Sequence, residues 1–171
     1  MTDIDVLLLH GSPGSGKTTL ARAISELLRV ADQAHGVIDM DEIGLVHPDQ
    51  GRSFSRENLK AMWPHYRAVP GLKLLLSGVV AYEEELDLLR TAVPGARLAV
   101  CELTAPKAVL IERVTAREPN EYWKEGLRRW VDIFHARDDL ERIRDFLVST
   151  HDRSEEDTAR EIIEKAGWLP A

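Results

Sequence analysis

Gly11-Ser12-Pro13-Gly14-Ser15-Gly16-Lys17-Thr18 fits the pattern G-x-x-x-x-G-K-[ST] at every required position. Before it, Val6-Leu7-Leu8-Leu9 is an apolar run of the length and composition of a buried parallel strand. After it, Leu20, Ile24, Leu27 and Leu28 recur at helical spacing. A glycine-rich turn between a strand and a helix lets backbone N–H groups wrap an anion, because residues without a Cβ allow close approach of the main chain. The helix start adds roughly half a positive charge. Lys17 is expected to reach the β- and γ-phosphates of a nucleotide, and the Thr18 hydroxyl to ligate Mg²⁺, with Thr19 beside them.

The 171-residue chain is expected to form one domain with a single sizeable core. A hydrophobic content of 44% and a charged content of 30% are ordinary for a globular protein. The formal charge of −7 speaks against a nonspecific nucleic-acid or membrane surface. Cys101 is the only cysteine, which excludes an internal disulfide and a cysteine zinc site; within Leu98-Ala99-Val100-Cys101 it reads as a small buried hydrophobe. The start, Met1-Thr2-Asp3-Ile4-Asp5, has no basic stretch ahead of an apolar one, and no run reaches the length of a membrane span. A cytoplasmic monomer or homodimer without membrane or nucleic-acid partners is expected.

Further along, Val37-Ile38-Asp39-Met40-Asp41 reads as a second strand ending in acids, where parallel sheets bind their ligands. On an extended chain Asp39 and Asp41 point the same way. One carboxylate can hold Mg²⁺ through water while the other accepts a proton from an attacking hydroxyl. Residues 44–68 form an irregular insertion with a helix from Ser55, the place for a second substrate. There Arg52 and Arg56 read either as an anion clamp or as surface charge, and Trp63 and Tyr66 either hold a ring or pack the core; His47 and His65 read as structural.

Leu72 to Val80 is the third strand, with no acid after its apolar stretch; Ser77-Gly78 would let a substrate approach the backbone. Glu83 to Ala92 should be a helix, Arg97 to Leu103 the fourth strand and Pro106 the start of another helix carrying Arg113 and Arg117 on one face. From Arg113 to Trp130 the chain is basic, either a mobile flap over the phosphates or an exposed helix laced with Glu118, Glu121 and Glu125. Leu127, Trp130, Val131 and Phe134 recur on one helical face. Phe146 to Thr150 is the fifth strand, and Ser154 with Asp157 caps a last helix that ends at Gly167. Alternating strands and helices imply an α/β fold, a five-stranded parallel sheet with helices on both faces.

On these motifs the chain resembles the small P-loop kinases that phosphorylate hydroxyl groups: shikimate and gluconate kinases, chloramphenicol phosphotransferase and the kinase domain of polynucleotide kinases. The resemblance implies a P-loop NTPase fold of the nucleoside-monophosphate-kinase kind with a lid at 113–130. It also implies ATP and Mg²⁺ as cofactors and a small-molecule hydroxyl acceptor. In these families the acid matching Asp41 is the base, and in the shikimate kinases the one matching Asp39 helps hold the metal. Arg113 and Arg117 resemble the Arg-x-x-x-Arg run of the related nucleoside monophosphate kinases, where the first contacts adenine and the second phosphates, and by the same resemblance His151 to Arg153 would border the adenine. The expected catalytic residues are Lys17, Asp41 and Arg117. Arg113 and Arg153 join the phosphate loop in binding nucleotide, and Asp41, Arg52, Arg56, Tyr66 and Gly78 meet the acceptor. A 5′-hydroxyl polynucleotide kinase and a non-catalytic ATP-binding regulator are the alternatives.

Overall fold

The computed structural model describes residues 4–169, so residues 1–3, on which the reading of the chain start partly rests, lie outside it. The sheet is all parallel and has five strands, β1 (Val6–Gly11), β2 (His35–Asp39), β3 (Lys73–Ser77), β4 (Leu98–Thr104) and β5 (Phe146–Ser149), in the order β2-β3-β1-β4-β5. The phosphate-loop strand is therefore central. Every residue of β1 is buried, as its unbroken apolar run requires.

Alternate residues of β1 feed two cores. Val6 and Leu8 face a layer built from α3 (Arg52–Arg67), α4 (Glu83–Ala92) and the short α7 (Leu140–Ile143). Leu7 and Leu9 face α1 (Lys17–Val30) and α8 (Glu155–Ala166). A third cluster, Ala105, Leu110, Val114 and Val131, joins α5 (Lys107–Arg117) to α6 (Glu121–His135) beyond the sheet. The last helix is capped as expected, with Ser154 Oγ accepting from the Asp157 N–H and Gly167 left-handed at its end. Cys101 is buried on β4, and burial pushes its thiol up, which keeps it unreactive. No helix among the described residues is long and apolar enough to cross a membrane.

Three local expectations change. The second strand stops at Asp39, whose carboxylate accepts from the Asp41 and Glu42 N–H groups and so starts a one-turn helix, α2 (Met40–Ile43). Asp41 thus leaves from a helical turn rather than from an extended chain. The insertion helix begins at Arg52, after Gly51, instead of at Ser55. On α6, Val131 and Phe134 are buried, whereas Trp130 is 61% exposed and is not part of the core face.

Candidate active site

The phosphate loop joins the C-terminal end of β1 to α1. Gly16 caps α1 with φ +96°, a backbone state that L side chains resist. At Gly14 a Cβ would stand 2.9 Å from the Leu110 carbonyl oxygen, so packing of the loop on α5 demands glycine independently of any ligand. Lys17 Nζ donates to the carbonyls of Gly11 at 2.8 Å and Ser12 at 3.0 Å. Burial lowers its pKa to about 8 against the opposing pull of Asp41, with Arg117 adding to the depression and Asp39 resisting it.

Two clefts meet at this loop. The larger, of about 430 Å³, is lined by Lys17, Thr18, Asp39, Asp41, Glu42 and Arg117, among others. Leu45, Val79 and Leu127 form its apolar wall. The second, of about 320 Å³, lies between the loop and the start of α8 and is lined by Arg113, Arg117, Thr150 and Arg153. Arg117 borders both clefts, and its guanidinium makes no hydrogen bond or ion pair among the described residues. Arg113 is fully engaged: it donates to the Gly14 carbonyl at 3.1 Å and to Thr150 Oγ1 and O at 2.9 Å each, tying the phosphate loop to the turn after β5. Arg153 pairs with Glu161 at the rim. The other cations of the basic stretch take the blander course, Lys124 pairing with Glu121 at 2.7 Å, Arg129 with Glu125 at 3.8 Å and Arg128 donating to Thr115 at 3.1 Å.

Beside Asp41 lies a small cavity of about 30 Å³ lined by Arg52, Arg56, Gly78 and Glu85. Glu85 is 2% exposed; it receives Arg52 through two bonds of 2.8 Å and Arg56 through one of 2.7 Å. Arg52 and Arg56 thus line the small cavity beside Asp41 with their charge shared by one buried carboxylate. Tyr66, expected among the acceptor residues, packs instead over Gly36 near the start of β2, where a Cβ would come within 2.6 Å of its ring. That is the opposite end of the strand from Asp39, so Tyr66 has no access to the cleft. Trp63 packs in the core and donates its Nε1–H to the Pro94 carbonyl at 3.2 Å.

Arg52 and three residues that local pattern did not single out, His10, Glu85 and Arg137, hold the loop after β3. His10 Nδ1 accepts from the Val80 N–H at 3.0 Å, Arg137 donates to the Val80 carbonyl at 2.6 Å, Arg52 donates to the Val79 carbonyl, and Glu85 accepts from the Ala81 N–H at 2.6 Å. His10 is buried and its pKa is lowered to about 3, by desolvation first and then by Arg137, so it stays neutral. One signal for Glu85 was present: it stands one helical turn before Leu89, on the inward line of α4.

The set fits a Mg²⁺-nucleotide. Thr18 and Asp39 share a cleft with a lysine aimed at the loop, and no group of three or more His, Cys, Asp or Glu among the described residues forms a cage of its own.

The comparisons agree with this architecture. A probable adenylyl-sulfate kinase of Aeropyrum pernix is 28% identical over 135 residues, covering 75% of this chain and 72% of that protein. A gluconokinase from Sinorhizobium meliloti 1021 superposes with TM-score 0.65 at 20% identity, over 98% of this chain and 95% of its own. A shikimate kinase from Acinetobacter baumannii, solved with shikimate, gives TM-score 0.60 at 21% identity over 95% and 92% of the two chains. These likenesses show a shared P-loop kinase fold. The profile of the family described as "AAA domain" matches residues 7–143, most of the chain, and the chain therefore belongs to that P-loop family.

Proposed function

We propose that the protein is an ATP-dependent phosphotransferase that moves the γ-phosphoryl group to a hydroxyl of a small molecule. The observation that carries this reading is the convergence of Lys17, Thr18, Asp39, Asp41 and Arg117 on one cleft. Named kinases among the similar proteins support the same reaction class. The domain spans the chain, with 44–68 as the acceptor segment and 113–130 as the lid.

The acceptor oxygen attacks the γ-phosphorus while the bond from that phosphorus to the bridging oxygen of ADP breaks. The acceptor proton passes to the Asp41 carboxylate, and ADP leaves. Lys17 and Arg117 stabilise charge on the transferring group, and Arg113 holds the loop in register with the second cleft, where the adenosine lies beside Arg153. Mg²⁺, when bound through Thr18 and Asp39, neutralises charge on the phosphates. Placement and electrostatics do most of the work, because phosphoryl transfer asks little covalent chemistry of the protein.

Asp41→Asn is expected to lower turnover by about 10²- to 10⁴-fold with nucleotide affinity little changed, measured by coupled ADP release and by nucleotide titration. Undiminished turnover in that variant removes Asp41 from the mechanism. A protein that binds ATP and transfers phosphate to no hydroxyl compound is a regulator instead.

A further inference from the structure

Helix α6 carries more apolar surface than the fold covers. Successive residues turn by about 100°, so Leu127, Val131 and Phe134 fall on one line of the helix. Tyr122, Trp123, Gly126, Trp130 and Ile133 fall on the adjoining flank, in a stripe about 100° wide. The first line packs inward, with Val131 and Phe134 buried. The second stands in solvent: Tyr122 is 77% exposed, Trp123 60%, Trp130 61% and Ile133 46%. Single exposed apolar residues are ordinary, but large ones gathered on one helical face form a patch, and patches mark contact surfaces. Gly126 lies in the middle of the stripe, and a Cβ there would meet nothing within 4 Å. Packing among the described residues therefore does not require glycine at that point, although glycine weakens a helix interior relative to alanine. A gap at the centre of the stripe lets a second helix come close.

Area and charge together indicate what covers this face. Aromatic side chains cover about 150–250 Å² each when buried, so three that are more than half exposed, with Ile133, offer about 400–500 Å². Two such faces together bury about 800–1,000 Å² before any rim is counted, where specific interfaces begin. The chain carries −7 overall, yet α6 is neutral, with Glu121, Glu125 and Asp132 against Lys124, Arg128 and Arg129. A second copy therefore meets no like charge along this helix, whereas a lipid surface calls for an excess of Lys and Arg. Lys124 pairs with Glu121, and Asp132 with Lys107 of α5. Glu125 and Arg129 stand on the flank beside the stripe, largely exposed and 3.8 Å apart, so each has room for a closer partner.

We infer that this face of α6 is an interface between two copies of the chain, packed antiparallel about a two-fold axis at the level of Leu127. Such an axis sets the Tyr122–Trp123 end of one helix against the Trp130–Ile133 end of the other. It also brings Glu125 level with Arg129 of the partner subunit, and each contact occurs twice. The interface stands apart from the phosphotransferase reading and holds whatever the cleft binds.

Sedimentation velocity on the full chain from about 1 to about 100 μM tests it. The expected wild-type result is a monomer–dimer equilibrium. Tryptophan emission should move to the red on dilution, as Trp123 and Trp130 return to water while Trp63 and Trp168 stay buried. Trp130→Ala, counted twice by the symmetry, should weaken dimerisation by at least about tenfold. Glu125→Arg and Arg129→Glu should each weaken it several-fold, and the two together should restore it, because the pair re-forms with its charges exchanged. A monomer at every concentration, a dimer indifferent to Trp130→Ala, or charge reversals that fail to compensate each other overturns the inference. So does cosedimentation of the monomer with phosphatidylglycerol vesicles, which would make a lipid surface the occupant.

Discussion

Lys17 is the residue whose chemistry is most exposed to measurement. Its charged form is the one that binds phosphate, yet burial lowers its pKa to about 8. In the free protein, affinity for a Mg²⁺-nucleotide should be level below that pH and fall about tenfold per unit above it, and binding there should take up a proton. Calorimetric titration from about pH 6.5 to about pH 9.5 in buffers of different ionisation heat would show both effects. Lys17→Arg, weaker throughout, should lose the bend because a guanidinium keeps its charge. A wild-type profile without a break near pH 8 would mean that another group limits binding. Lys17 was legible because its motif is local. His10 was not, although it lies one residue before the motif, since its role depends on the N–H of Val80, seventy positions away.

Among the elements, α3 and α4 are joined by the pairing of Arg52 and Arg56 with Glu85. Removing one partner of a buried charge cluster strands the others. Glu85→Gln should cost about 2–4 kcal/mol, somewhat under the range for fully buried pairs because Arg52 is half-exposed. Urea unfolding reads this directly, and a loss below about 0.5 kcal/mol would show that water already satisfies the arginines. Strands and long helices could be read from the sequence because four-residue apolar runs and a 3.6-residue period are written locally, as in β1 and α1. The one-turn α2 could not, for it exists through the Asp39 side chain capping Asp41 and Glu42. The error over Trp130 has the same origin: a stripe of apolar residues shows which positions share a face, not which of them the rest of the fold covers.

For the molecule as a whole, the loop, both clefts and the central strand are one cooperative unit, so a ligand that binds only the folded form should stabilise all of it. A Mg²⁺-nucleotide at about one hundred times its Kd contributes about 2.7 kcal/mol, which for a chain of this size raises Tm by about 5–10 °C. Lys17→Ala should abolish most of that shift without lowering the unliganded Tm. A thermal melt that ignores nucleotide in the wild type would remove the phosphate-binding claim itself. The position of the clefts followed from sequence once β1 was known, because parallel strands end where ligands bind. The occupant of the larger cleft did not, since its apolar wall comes from Leu45, Val79 and Leu127, three positions whose meeting only the tertiary fold decides.

The backbone beneath the larger cleft, from Val79 to Ala81, is gripped by side chains arriving from β1, α3, α4 and the segment after α6. Such a floor tolerates little rerouting. A lineage, or a laboratory, that wished to retarget this scaffold to a different ligand would have to repaint the wall by exchanging individual side chains, leaving the path of the chain untouched.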